Sequence, residues 1–113
     1  MDENYWLART ELLIGKENIK KLSESHVLVA GLGGVGGYAA EAICRAGVGE
    51  MTIIDADVVN RTNRNRQLLA LESTQGKSKV DLMADRLMGI NSELKINKQN
   101  VYLRDEKIRE VLS

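Results

Sequence analysis

Apolar residues along this chain follow two rhythms, and the changes between them mark out the elements. Over residues 1–25 the spacing is helical. Trp6, Leu7, Leu12, Leu13 and Ile14 belong to a first short helix that Gly15 stops, and Ile19 and Leu22 stripe a second, Asn18 to Glu24. At Val27-Leu28-Val29-Ala30 the period gives way to a continuous apolar run, which suits a strand buried on both faces of a parallel sheet. Glycines follow at once. From Val35 to Ala46 the helical spacing returns, with Val35, Ala39, Ala42, Ile43 and Ala46 predicted to face the sheet. Gly47-Val48-Gly49 closes that helix, and Met51-Thr52-Ile53-Ile54 forms a second buried strand ending on Asp55-Ala56-Asp57. Residues 60–79 show no alternation and read as a long connection with one helical turn at Leu68-Leu69-Ala70-Leu71. Connections of this length are usually functional. From Lys77 to Ile90 the helical period resumes, with Val80, Met83, Ala84 and Leu87 on one stripe. Leu94 to Ile96 is a third strand, and Arg104 to Leu112 a last helix with Ile108, Val111 and Leu112 inward.

This order predicts an α/β fold: the amino-terminal half of a Rossmann-like, doubly wound parallel sheet, about three strands, preceded by two short helices. Residues 1–25 supply the helices and residues 26–113 the nucleotide-binding half-domain. Right-handed crossovers set the glycine strand beside the second strand, with the third beyond it. One flank of the glycine strand is then unpaired, and the other half of the sheet is expected in a longer parent protein.

Composition narrows the function. Sixteen acidic and sixteen basic residues cancel, so the chain as a whole does not advertise a polyanion partner. A single cysteine, Cys44, excludes an internal disulfide or a multi-cysteine zinc site within this chain and fits a reducing, cytoplasmic setting. With no second thiol or histidine nearby in sequence, Cys44 reads as a buried structural residue. No apolar run approaches a membrane span, so no membrane partner is expected.

The chemistry starts at Gly31-Leu32-Gly33-Gly34-Val35-Gly36, where Gly31, Gly33 and Gly36 have the Gly-x-Gly-x-x-Gly spacing of a strand–turn–helix nucleotide site. The first glycine makes the turn, the second admits a phosphate, and the third lets helix and strand pack closely. Gly34 adds another position without a side chain at that rim. Asp55 follows Gly36 by nineteen residues, the place for a carboxylate that binds ribose hydroxyls. Turn and acid together indicate an adenosine nucleotide without choosing NAD over ATP. The connection makes that choice: five basic residues between 60 and 79 stand against the lone acid Glu72. A hydride-transfer enzyme has no use for them. An enzyme that breaks a triphosphate uses fixed cations and Mg²⁺ to hold charge as pyrophosphate leaves. Arg66 and Lys79 are the candidate catalytic cations, with Asn63 a neutral neighbour.

Taken in order, the glycine turn, Asp55-Ala56-Asp57, Asn63-Arg64-Asn65-Arg66-Gln67 and Gly76-Lys77-Ser78-Lys79 resemble the ubiquitin-activating-enzyme superfamily. That group includes the adenylyltransferases of thiamine and molybdopterin synthesis. Within it, Thr62-Asn63-Arg64-Asn65-Arg66-Gln67 is most similar to the tRNA threonylcarbamoyladenosine dehydratases. The resemblance implies ATP-dependent adenylation of a threonyl carboxylate on tRNA, then ring closure with loss of AMP. It gives Gly33 and Gly34 to the phosphates, Asp55 to the ribose, and Asn63, Arg66 and Lys79 to the triphosphate. It also implies a homodimer in which Arg9 reaches the ATP of the other subunit. The family's Mg²⁺-holding aspartate would fall beyond Ser113, so this segment alone is expected to bind ATP weakly and to catalyse little. Three alternatives stay open: an adenylyltransferase acting on a sulfur-carrier protein, half of an NAD-dependent oxidoreductase, and a non-catalytic scaffold.

Overall fold

The structure, a computed structural model, describes residues 5–60 and 67–101. The expected helix Arg104 to Leu112 lies outside the described residues, as do Asn63 and Arg66. Two short helices, α1 (Ala8–Ile14) and α2 (Lys16–Ser23), are separated by Gly15, whose φ of +87° breaks the helical path. Then come β1 (His26–Ala30), α3 (Val35–Arg45), β2 (Glu50–Ile54), a single 3-10 turn at Glu72–Thr74, α4 (Lys79–Ile90) and β3 (Lys95–Gln99).

The three strands form one parallel sheet in the order β1-β2-β3, aligned as His26↔Glu50↔Lys95 through Ala30↔Ile54↔Gln99. This is the expected half of a doubly wound sheet. Its core joins Met51 and Ile53 of β2 to Ala40 and Cys44 of α3 and to Val80, Met83, Ala84 and Leu87 of α4. The α4 stripe is the predicted one. Cys44 is fully buried, and its thiol donates weakly to the Leu87 carbonyl at 3.6 Å. Burial pushes that thiol above its ordinary pKa, which suits a structural residue and not a nucleophile.

Several boundaries and faces differ from the sequence pattern. On α3 the buried positions are Gly37, Ala40 and Cys44, whereas Val35 is 83% exposed and Ala42 also faces outward. The helix is phased by its glycines: a Cβ on Gly37 would stand 2.9 Å from the Leu32 carbonyl oxygen, so that side packs closest. A pattern that counts only large apolar residues misses such a face. The strand β1 is half-buried rather than buried throughout, because among the described residues it has a neighbour on one side only; β2, paired on both sides, is buried from Met51 to Ile54. The third strand runs three residues past its expected end into polar sequence. Its Asn97 donates to Glu50 at 2.9 Å and to Thr52 at 3.3 Å, which satisfies the side chain on the sheet. The helical turn expected at 68–71 is a single hydrogen-bonded turn at Leu68-Leu69, and a 3-10 turn follows at Glu72–Thr74, where the Thr74 hydroxyl donates to the Leu69 carbonyl at 2.7 Å and accepts from the Leu71 N–H at 2.8 Å. In α1 the expected apolar stripe is mostly outside: Leu7 is buried, while Leu12 and Leu13 are 75% and 85% exposed. The helix α4 starts at Lys79, two residues later than expected.

Candidate nucleotide-binding site

The turn after β1 is built from its glycines. Gly31, at φ +89°, donates its N–H to the Ile54 carbonyl at 2.7 Å, so the chain leaves β1 bonded across to the end of β2. Gly34 takes φ +50° at the entrance to α3. A Cβ on Gly36 would stand 1.8 Å from the Gly31 carbonyl oxygen, so only glycine lets α3 start this close to the turn. The N–H groups in the first turn of α3 have no partners within the helix; that of Gly36 donates to the Gly33 carbonyl at 3.1 Å, and the rim carries the positive end of the helix dipole.

Asp55 ends β2 and holds this turn. One carboxylate oxygen, Oδ2, accepts the Leu32 N–H at 2.7 Å, and the other accepts the Asp57 N–H at 2.7 Å. Its own N–H donates to the Gln99 carbonyl of β3 at 3.1 Å. Each carboxylate oxygen still has a lone pair to offer a hydroxyl. Beside it lies an open cleft of about 280 Å³ between Gly31, Ile54, Asp55 and Val101. It sits at the carboxyl ends of the strands, where open α/β sheets take their ligands.

The connection from β2 to α4 is zipped at its base. Val58 and Ser78 form an antiparallel bridge, Val59 N–H donates to Lys77 at 2.9 Å, Gly76 N–H to Val59 at 2.8 Å, and Lys79 N–H to Asp57 at 3.1 Å. These bonds tie the start of α4 to the residue two past Asp55. Lys79 is 4% exposed, whereas Lys77 is exposed. No carboxylate among the described residues is within ion-pairing distance of the Lys79 ammonium, and a buried lysine is seldom left without a counter-charge. Ser78, at the same helix entrance, buries its hydroxyl oxygen with no hydrogen-bond partner among the described residues.

Gly31, Gly33, Gly34, Gly36, Asp55 and Lys79 are thus gathered at one end of the sheet. Arg9 is exposed on α1 and does not line the cleft of its own chain. Two features escaped the sequence reading. One is that Asp55 supports the turn through the Leu32 amide. The other is that Gln67 lies buried against Gly33. Nothing in a polar run marks one amide as buried, so the second had no sequence signal.

The chain is similar to proteins of known name. It is 48% identical over 99 residues to tRNA threonylcarbamoyladenosine dehydratase of Bacillus subtilis, covering 88% of this chain and 39% of that protein. It is 37% identical over 92 residues to molybdopterin-synthase adenylyltransferase of Escherichia coli, covering 81% of this chain and 37% of the relative. Among solved structures, the Escherichia coli tRNA N6-threonylcarbamoyladenosine dehydratase TcdA in complex with ATP superposes with a TM-score of 0.89 at 36% identity, over 92% of this chain and 43% of that one. The chain therefore spans about two fifths of the length of these relatives. The family model described as the ThiF family matches residues 7–113, and the chain belongs to that family.

Proposed function

We propose that this chain is the ATP-binding part of an enzyme that adenylates a carboxylate, and that the carboxylate is the threonyl group of threonylcarbamoyladenosine in tRNA. The observation that carries the reading is the glycine turn held by Asp55, with the buried Lys79 tied to the same crevice through Asp57. Gly31, Gly33, Gly34 and Gly36 leave room for phosphates, Asp55 receives the ribose, and Lys79 faces the triphosphate with Asn63 and Arg66. The substrate carboxylate attacks the α-phosphorus, the bond to the bridging oxygen breaks, and pyrophosphate leaves. The carbamoyl nitrogen then displaces AMP, closing the ring with net loss of water. Fixed cations already in place stabilise the charge on the leaving pyrophosphate without rearrangement.

Mg²⁺ fits this chemistry because it is usually held by one or two carboxylates together with phosphate oxygens. Asp55 is given to the ribose and to the Leu32 amide in this reading, so the carboxylate for Mg²⁺ is the family's aspartate expected beyond Ser113. Arg9 lies outside the cleft of its own chain, which supports a homodimer in which it serves the other subunit. The exposed Leu12 and Leu13 of α1 are a surface such a dimer would cover. No helix among the described residues is long and apolar enough to cross a membrane, and a tRNA substrate places the enzyme in the cytoplasm.

Calorimetry on the full-length protein with ATP and NAD tests the nucleotide, and ATP is expected to bind more tightly. Equal or tighter NAD binding would sink the adenylation reading in favour of an oxidoreductase. AMP release that depends on modified tRNA tests the acceptor. Release that instead requires a sulfur-carrier protein would assign the chain to the adenylyltransferases, which its similarity to the molybdopterin-synthase enzyme also favours.

A further inference from the structure

Gln67 is a polar residue placed like a core residue. It is 9% exposed, and its backbone is fixed by a turn in which Ala70 N–H donates to the Gln67 carbonyl at 3.1 Å, with Leu69 and Ala70 packed inside. Its side chain lies over Gly33. A Cβ on that glycine would come within 3.0 Å of Nε2 and 3.2 Å of Cδ and Oε1. Gly33 therefore lacks a side chain partly to make room for this carboxamide. The Oε1 atom is buried and has no hydrogen-bond partner among the described residues. A carboxamide used only for packing would be paired, because an unpaired buried polar atom loses its hydration without return.

We infer that Gln67 donates a side-chain N–H to a phosphoryl oxygen of the nucleotide at the glycine turn. Nε2 is the carboxamide atom nearest Gly33, at 3.0 Å from its would-be Cβ, and the broad, roughly two-fold terminal torsion of glutamine lets either end be presented to the turn. At the amino end of α3 the field favours an anion, and an anion needs the donor end. Gln67 is then a binding residue that rests over the middle glycine of the turn, added to Asp55 and the cations. This rests on the ATP reading above.

The test is calorimetric titration of the full-length protein with ATP and adenosine, for wild type, Gln67→Glu and Gln67→Met, beside their melting curves. Glu keeps the shape but loses the N–H and adds negative charge, while Met keeps length and apolar bulk without a donor. Losing a charge-assisted hydrogen bond should weaken ATP binding about tenfold or more in Gln67→Glu, and less in Gln67→Met. Adenosine affinity should stay within about twofold, since it carries no phosphate. Unchanged ATP affinity in a folded variant, or an equal loss for adenosine, would overturn the contact. If neither variant folds, the wild-type side-chain amide resonances of Gln67 decide: they should shift with ATP and not with adenosine, and failure to shift with ATP would overturn the proposal. If wild type binds adenosine but not ATP, the ATP reading falls and takes this contact with it. If wild type binds ATP and both variants match it, only the contact falls.

Discussion

The Asp55 carboxylate accepts the Leu32 backbone N–H at 2.7 Å, so the side chain that ends the second strand holds the turn that follows the first. Leu32 is fully buried, and water cannot replace the lost acceptor. Asp55→Ala should therefore lower stability by about 1–3 kcal/mol, the usual effect of stranding a buried donor. Asp55→Asn keeps one acceptor oxygen and should lose less. Urea melts of both variants, with hydrogen exchange at the Leu32 amide, check this. An Asp55 that served only the ribose would leave both readouts unchanged.

Gly36 and Gly89 make a matched pair of opposite sign. A Cβ on Gly36 meets the Gly31 carbonyl oxygen at 1.8 Å, and no side-chain motion relieves a clash between backbone groups. Gly36→Ala should cost more than about 3 kcal/mol or prevent folding, as severe overpacking does. Gly89 lies in α4 with nothing within 4 Å of its would-be Cβ, so Gly89→Ala should stabilise by about 0.5–1 kcal/mol. Thermal melts of the two proteins give the comparison.

The Glu50 carboxyl is held below the usual glutamate range, first by the Asn97 hydrogen bond at 2.9 Å and then by His26 and Lys95, at 3.9 and 3.7 Å. A carboxyl whose folded pKa is depressed contributes stability above its unfolded value, about 4.3, and loses it as pH falls through the folded value. The melting-temperature difference between wild type and Glu50→Gln should thus be constant near neutrality and shrink on acidification below about pH 4.3. A difference independent of pH over that range would contradict the assignment.

The sequence carried the architecture further than the packing. The run Val27 to Ala30, the glycines and the α4 stripe at Val80, Met83, Ala84 and Leu87 were all legible, because each has a period or a residue type that only one local structure uses. The phase of α3 was not, because its close contacts are made by Gly36 and Gly37, which an apolar count ignores. The exposure of Leu12 and Leu13 was not legible either, since periodicity finds a helix face but not what covers it. At the crevice, the glycine turn and Asp55 stood out by their spacing, while Lys79 was a candidate only as one cation of a basic connection. That Gln67 is buried against Gly33 rests on a tertiary contact, and that Lys79 rather than Lys77 is buried goes with the bridge between Val58 and Ser78; both are long-range contacts without local pattern.

If the exposed leucines of α1 cover a partner, Leu13→Glu should shift the protein toward monomer in sedimentation while leaving the monomer's melting behaviour within about 0.5 kcal/mol, as surface changes do. Leu13 is 85% exposed and fills no cavity. An unchanged dimer would place the interface elsewhere, and a large loss of monomer stability would mean that the side chain is part of the chain's own core.

The most direct measurement is AMP release from ATP with modified tRNA by the full-length protein, comparing wild type with Lys79→Ala, Arg66→Ala and Lys77→Ala. Removing a preorganised donor to developing charge lowers turnover by about a hundred- to a thousand-fold, so Lys79→Ala and Arg66→Ala should each fall by that much. Their double mutant should lose less than the product of the single losses, as the proposed action of both cations on one triphosphate requires. Lys77→Ala, whose side chain is exposed beside the buried Lys79, should keep near-normal turnover. Near-normal turnover in a folded Lys79→Ala enzyme, with turnover abolished in Lys77→Ala, would contradict the placement of the triphosphate at this crevice.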